Sequence, residues 1–160
     1  MPKAISNTSP LLYLHRINAI DWLAELFEEI WVPSAVVEEL QEGENRGYNV
    51  PHLDNYPNLQ IVSPQNIPEN LENTDLGSGE QAAIALALEN RDRIVLLDDA
   101  LARTTARNFG LTIWGTLKIL LEAKDKGLIE RIKPCVDRLQ KSGMWISNDI
   151  RQRVLNLAGE

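Results

Sequence analysis

The feature that most constrains the fold of this chain is the segment from Gly77 to Arg107, which combines a helix rich in small residues with a buried strand. Glu80 falls in the first turn of the predicted helix, where the helix dipole favours a carboxylate. Ser78 and Gln81 have the spacing of a capping box. The wholly apolar run 94–97 is typical of a strand that helices cover on both faces. The segment therefore predicts a sheet buried between helices.

Two consecutive aspartates, Asp98 and Asp99, come directly after this apolar run. In open α/β sheets, ligands bind in the crevice beyond the carboxyl ends of the strands. Glu80 and one or both aspartates are therefore expected to converge on one site. Either aspartate also suits the N-cap of the helix that follows, so a purely structural role stays open.

Short apolar runs alternate with amphipathic segments along the whole chain. The predicted strands are 3–6, 30–32, 59–62, 94–97 and 111–114. The further predicted helices begin at residues 10, 20, 35, 117, 134 and 148, the first with Ser9 as its cap and Pro10 at its first position. This alternation predicts a three-layer α/β/α sandwich with a mostly parallel sheet of about five strands. At 160 residues we expect a single domain spanning 1–160, with 130–160 as a helical C-terminal extension packed on it.

Composition excludes several classes of protein. The single cysteine, Cys135, cannot form an intramolecular disulfide and fits a reducing, cytoplasmic location. No apolar run approaches the length that spans a membrane, and the N-terminus lacks the apolar core of a signal peptide. The net charge of −7 argues against broad electrostatic binding to nucleic acid, although it allows a local site where metal ions reverse the sign.

Two further polar residues are expected at the same edge of the sheet. Asn7 follows the first predicted strand, where it either faces the crevice or bonds its own backbone in a turn. Glu39 lies closer to the apolar face of its helix than Glu38, which is expected to be solvated.

These residues form a candidate metal site. Carboxylates that converge repel one another, so the cluster would protonate in part or bind a cation. Oxygen ligands suit Mg²⁺ or Mn²⁺, which could activate water and neutralise the charge of a phosphodiester. The candidate ligands are Asn7, Glu39, Glu80, Asp98 and Asp99, of which the four acids are also the candidate catalytic residues.

Three more side chains are candidates for contact with nucleic acid. Ser9, or its neighbour Thr8, could bind a metal-bound water. Arg103 and Arg107 lie one helical turn apart after the aspartates and could hold flanking phosphates, or they could form a solvated helix face.

Two other motifs have simpler interpretations. Residues 77–82 match the G-x-G-x-x-A pattern of dinucleotide-binding folds, but no apolar strand precedes them and Glu80 would repel a pyrophosphate. The apolar segment Met144–Ile146 is expected to be core, or an interface if it is exposed.

Taken together, the motifs make the chain similar to PIN-domain proteins, of the branch described as predicted nucleic-acid-binding proteins. The resemblance covers nearly the whole chain and rests on motifs that occur in the family's order: 4–11, 32–40, 76–83, 95–103 and 115–129. It implies a parallel-sheet α/β/α fold with a crevice of three or four acidic residues. It also implies a Mg²⁺- or Mn²⁺-dependent endonuclease that commonly acts on RNA.

By the same resemblance, Glu39, Glu80 and either Asp98 or Asp99 would be metal-binding acids, and many relatives are toxins of toxin–antitoxin pairs. A protein antitoxin and a homodimer are therefore implied partners. The sequence departs from the family at Asn7, where an aspartate is usual. Two hypotheses follow: a PIN-type ribonuclease, or a catalytically weak or silent module with the same fold that binds nucleic acid or protein.

Overall fold

The computed structural model describes all 160 residues, which form five parallel strands and nine α-helices. The strands are β1 Ala4–Ser6, β2 Ile30–Val32, β3 Leu59–Ile61, β4 Ile94–Leu96 and β5 Ile113–Trp114. The helices are α1 Thr8–Arg16, α2 Trp22–Leu26, α3 Ser34–Asn45, α4 Glu69–Glu72, α5 Ser78–Glu89, α6 Ala100–Asn108, α7 Thr116–Asp125, α8 Lys133–Lys141 and α9 Asn148–Leu157. None of these helices combines the length and the apolar character that crossing a membrane requires.

The five strands form one sheet in the order β3-β2-β1-β4-β5, and every neighbouring pair is parallel. The chain moves outward from β1 to β3, then returns to the other side of β1 for β4 and β5. The strand order therefore reverses between β1 and β4, the position in an open sheet where a crevice forms. The turns that follow β1 and β4 carry Asn7 and Asp98, respectively.

Helices cover both faces of the sheet, as the predicted three-layer sandwich requires. Side chains of neighbouring strand residues alternate between the two faces. Ala4 of β1 belongs to the larger hydrophobic cluster, with residues of α1, α2, α3 and α7. Ile5 belongs to the smaller cluster, with residues of α4, α5 and α6. The predicted α/β/α fold is confirmed.

The last two helices contribute to the larger cluster. Val136 and Leu139 of α8 and Val154 of α9 are buried in it with Leu14 of α1 and Ile119 of α7. The segment 130–160 therefore shares the hydrophobic core that covers one face of the sheet.

The ends of several elements differ from the sequence-based expectation. Helix α1 begins at Thr8, so Pro10 lies within its first turn rather than at its first position. The capping box predicted for Ser78 and Gln81 is wrong: the helix begins one residue earlier, and the N–H of Gly77 donates to Glu80 Oε1 instead. Glycine and serine both occur at N-caps, and the glutamate three residues after Gly77 completes the capping box that forms.

Candidate active site

A cleft of about 370 Å³ lies beyond the carboxyl ends of β1 and β4. Asn7 and the four acids predicted to be metal ligands all line this cleft. The residues that line it are Asn7, Thr8, Ser9, Leu12, Tyr13, Glu39, Gly77, Glu80, Asp98, Asp99, Met144 and Trp145. The five candidate metal ligands, which come from four separate segments of the sequence, thus share one cavity.

Asn7 lies at the N-cap position of α1, yet its side chain does not cap the helix. Its backbone N–H donates to the carbonyl of Leu96 at 3.1 Å, which fixes the residue beside the end of β4. The residue is only 5% exposed, and its side-chain Oδ1 is buried without a hydrogen-bond partner. A buried acceptor without a partner costs about 1–3 kcal/mol, and such atoms often mark the position of a water or an ion.

The carboxylate of Glu39 lies between the starts of two helices. Its Oε1 accepts a hydrogen bond of 2.5 Å from Thr8 Oγ1, and its Oε2 accepts one of 3.2 Å from the backbone N–H of Gly79. Ser78 Oγ is 3.5 Å from the same Oε2. Glu38 is exposed, so the helical pattern distinguished these two neighbouring glutamates correctly.

Gly79 makes this arrangement sterically possible. A Cβ built on Gly79 would lie 2.3 Å from Glu39 Oε1 and 3.1 Å from Asn7 Oδ1. Any side chain at this position would therefore displace the Glu39 carboxylate. The same geometry indicates that the Asn7 and Glu39 oxygens are close neighbours.

Glu80 has a pKa above its ordinary value. Partial burial is the main cause, and the carboxylates of Asp99 and Glu39 raise the pKa further by repulsion. The hydrogen bond of 3.1 Å from the Gly77 N–H to Glu80 Oε1 acts in the opposite direction. Glu80 therefore interacts electrostatically with acids from two other segments.

The two aspartates after β4 have different environments. Asp98 accepts three hydrogen bonds: from the Thr116 N–H at 2.7 Å, from Thr116 Oγ1 at 2.8 Å and from Ser9 Oγ at 2.9 Å. Asp99 is exposed, and its Oδ2 accepts a hydrogen bond from the Ala102 N–H at 3.0 Å as the N-cap of α6. The hydrogen bonds of Asp98 thus connect the end of β4 to the starts of α1 and α7, whereas Asp99 is the N-cap of α6.

Of the three residues predicted to contact nucleic acid, Ser9 lines the cleft, whereas Arg103 and Arg107 do not. Ser9 donates to Asp98. Arg103 does not line the cleft, and its Nη1 donates a hydrogen bond of 3.0 Å to the carbonyl of Leu97. The pKa of Arg103 is lowered by burial and by repulsion from Arg107, and the attraction of Asp98 offsets this only in part. Arg107 is exposed on α6. The contacts of these residues with nucleic acid stay a prediction.

The donor set fits a hard divalent cation in chemical type, since carboxylate and amide oxygens are the ligands that Mg²⁺ and Mn²⁺ prefer. The unpartnered Asn7 Oδ1 beside Glu39 is the observation that supports the fit. Nevertheless, no three His, Cys, Asp or Glu side chains form a group that could hold a metal ion. Glu39 and Asp98 bond to donors of the chain itself, so an ion would have to draw the carboxylates together.

Sequence reasoning missed two residues that shape the cleft. Thr116 donates both its N–H and its hydroxyl to Asp98, and Gly79 leaves space for Glu39. The pair Gly115-Thr116 before an amphipathic helix was a usable signal, because a threonine at a helix start has free backbone and hydroxyl donors. Gly79 had no comparable signal, since its role depends on a side chain 40 residues away.

Comparison with known proteins identifies the family. A family model described as DUF3368, a PIN domain, matches residues 3–160, so the chain belongs to the PIN domain family. Members of this family are generally nucleases and typically use a divalent metal. No curated protein matches the sequence.

Among solved structures, the chain is similar to a PilT N-terminus domain protein of the hyperthermophilic archaeon Sulfolobus solfataricus. The TM-score is 0.56 at 15% sequence identity, over 76% of this chain and 92% of that one. At this identity the likeness supports the fold alone, and it agrees with the five-stranded parallel sheet.

Proposed function

We propose that this protein is a metal-dependent endoribonuclease that hydrolyses RNA phosphodiesters with Mg²⁺ or Mn²⁺ bound in the acidic cleft. The observation that carries the proposal is the buried, unpartnered Oδ1 of Asn7 beside the Glu39 carboxylate. An oxygen in this position gains a partner when a cation binds, and the cation also relieves the repulsion that raises the pKa of Glu80.

The proposed ligands are Asn7, Glu39 and Glu80 together with the corner formed by Asp98 and Asp99. Hydrogen bonds from Thr8 and the Gly79 N–H orient Glu39, as outer partners orient metal ligands in general. The hydroxyls of Ser9 and Thr116 orient Asp98 in the same way.

The bound ion would supply an activated water and neutralise negative charge on the phosphodiester. The chain's own contribution is to hold the carboxylates in place before the substrate arrives. Among the acids of the cleft, Glu80 is the one whose pKa is raised by burial and by its neighbouring carboxylates, so it gains most from a nearby positive charge.

The proposal is tested by cleavage of single-stranded RNA in Mn²⁺, with and without EDTA. We expect Glu39→Gln and Glu80→Gln to lower the cleavage rate at least about 100-fold, as loss of a charge-stabilising group does in other enzymes. Glu38→Gln is the matched control, because Glu38 is the exposed neighbour of Glu39 on α3 and should leave the rate unchanged. Cleavage that survives Glu80→Gln, or that survives the chelator, would refute the assignment.

The alternative function is a catalytically weak or silent PIN module that binds nucleic acid or protein. Asn7 favours it, because an amide ligates without charge and the affinity of hard-cation sites follows ligand charge. The alternative predicts that wild-type protein does not cleave RNA and that Asn7→Asp gains activity. A fully active wild type that gains nothing from Asn7→Asp would exclude it.

Three further parts of the functional assignment are proposals that rest on the family alone: a toxin role in a toxin–antitoxin pair, a protein antitoxin as partner, and a homodimer. The proposed cytoplasmic location rests on the single cysteine instead. We also propose that residues 1–160 act as one domain, supported by the contribution of Val136 and Val154 to the core beneath the sheet.

A further inference from the structure

Trp145 is the most exposed large hydrophobic residue of the chain, with 86% of its surface accessible. Single exposed apolar residues are common on proteins, but exposure of a whole indole ring is costly because of its large apolar area. The segment Met144–Ile146 was expected to be either core or interface. The structure divides it, since Ile146 is buried at 8% exposure while its neighbour Trp145 faces solvent.

The backbone on both sides of Trp145 is fixed. The N–H of Met144 donates to the Leu139 carbonyl at 3.0 Å, and Gln140 Nε2 donates to the Ile146 carbonyl at 3.3 Å. Ser147 then caps α9 through a hydrogen bond of 3.1 Å from the Ile150 N–H. The exposed ring is thus attached to a well-anchored connection between α8 and α9.

Trp145 also lines the acidic cleft. With Leu12, Tyr13 and Met144 it forms an apolar wall of the same cavity that contains Asn7, Glu80 and the aspartates. The lining of the cleft therefore combines carboxylates with an exposed aromatic ring. A nucleotide has the matching division into an anionic phosphate and a flat, uncharged base.

We propose that Trp145 is a stacking platform for an unpaired nucleobase of an RNA bound in the cleft. This inference rests on the proposed function, because an RNA whose base stacks on Trp145 would have its neighbouring phosphodiester beside the carboxylates of the cleft. A protein with a net charge of −7 gains little affinity from phosphate contacts away from the proposed metal, so base stacking is a further source of affinity. Aromatic stacking tolerates any base sequence, since every base has a π-face.

The size of the cleft favours a nucleotide over a partner protein. A volume of about 370 Å³ is in the range of small-ligand pockets. A stable protein partner buries about 800 Å² on each side, far more than a single indole and its wall offer. A second copy of the chain would also bring its own negative charge to an acidic cleft.

The test compares Trp145→Ala and Trp145→Phe with Tyr48→Ala, which removes another exposed aromatic residue that does not line the cleft. The probe is a labelled single-stranded RNA of ten nucleotides, together with a series in which one base at a time is replaced by an abasic residue. Affinity is measured by fluorescence anisotropy in Ca²⁺, a hard cation that also binds oxygen ligands. KM and kcat are measured in Mn²⁺.

We expect Trp145→Ala to weaken binding by about 5- to 150-fold, the equivalent of about 1–3 kcal/mol of stacking, with KM raised and kcat little changed. Trp145→Phe should retain most of the affinity, and Tyr48→Ala should bind like wild type. One abasic position should weaken wild-type binding without weakening Trp145→Ala further, which a merely structural role of the indole would not produce.

Unchanged affinity of Trp145→Ala, equal losses on every abasic RNA, or equal binding of a blunt duplex would overturn the proposal. The proposal would also be overturned if the wild type eluted as a dimer on size exclusion and Trp145→Ala eluted as a monomer, because the indole would then be a contact between two copies of the chain. These outcomes are separate from failure of the proposed function: base-dependent binding without cleavage refutes only the nuclease assignment, and cleavage with normal KM in Trp145→Ala refutes only the platform.

Discussion

The substitution Gly79→Ala tests the geometry of the cleft without removing any polar group. The added Cβ would lie 2.3 Å from Glu39 Oε1 and 2.9 Å from its carboxyl carbon, whereas real contacts of this kind stay above 3.0 Å. Glu39 is the longer and more flexible partner, so we expect its carboxylate to move by about 0.7 Å or more. That movement would weaken its hydrogen bonds from Thr8 and from the Gly79 N–H.

The expected effect on folding is small. A charged hydrogen bond contributes about 1.5–3 kcal/mol, and the lower end applies because Glu39 is only partly buried. Replacing glycine by alanine in a helix returns up to about 1 kcal/mol. We therefore expect the free energy of unfolding to fall by no more than about 2 kcal/mol, so that the variant stays folded.

The expected effect on activity is much larger. A displacement of about 1 Å in a catalytic group can lower a rate about 100-fold. Cleavage of RNA in Mn²⁺ should therefore fall by about two orders of magnitude, with a parallel loss of Mn²⁺ affinity in calorimetry. Thermal unfolding of the same sample verifies that the protein is folded.

Gly77→Ala is the matched control in the same turn. Its Cβ would meet Glu80 and Glu39 at 3.6 and 3.7 Å, which are ordinary van der Waals distances. We expect its rate to stay within about threefold of wild type. A Gly79→Ala variant that cleaves RNA and binds Mn²⁺ like wild type would refute the role given to Glu39.

Two further predictions concern charge in the cleft. Asn7→Asp adds a buried carboxylate beside Glu39, so the free energy of unfolding without metal should fall by about 1–3 kcal/mol. Mn²⁺ should then raise the melting temperature of this variant more than that of the wild type. Equal increases in melting temperature would contradict this prediction. The raised pKa of Glu80 means that the folded state holds its proton to higher pH than the unfolded state, so the free energy of unfolding falls as pH rises through that interval. Glu80→Gln should therefore stabilise the metal-free protein at pH 7, by less than about 1 kcal/mol because solvent screens this partly exposed group, and should have little effect at pH 4. Denaturant titrations at both pH values measure the gain. A larger gain at pH 4 than at pH 7 would refute repulsion and burial of the Glu80 charge as the cause.

Local patterns were enough to predict the layers and the direction of the strands. The apolar run before Asp98 and the alternation of strands with helices require a buried parallel sheet, and both are independent of distant contacts. The order β3-β2-β1-β4-β5 could not be predicted, because strands of similar apolar character can exchange places without changing any local pattern.

The site was predictable to the extent that it follows from strand ends and helix faces. Helical spacing separated Glu39 from Glu38, and the end of β4 located both aspartates at the cleft. The internal hydrogen bonds of the acids were not predictable, since Thr116 approaches Asp98 only through β4–β5 pairing. The exposure of Trp145 was equally hidden, because the adjacent Ile146 of similar apolar character is buried.

The most direct test of the account is a crystal structure of the wild-type protein grown in Mn²⁺, with anomalous scattering measured at the manganese edge. We predict one strong peak in the cleft, within ligand distance of Asn7 Oδ1 and of carboxylate oxygens from Glu39, Glu80 and the Asp98–Asp99 corner. A cleft without manganese at saturating Mn²⁺, or a peak that leaves Asn7 Oδ1 without a partner, would contradict it.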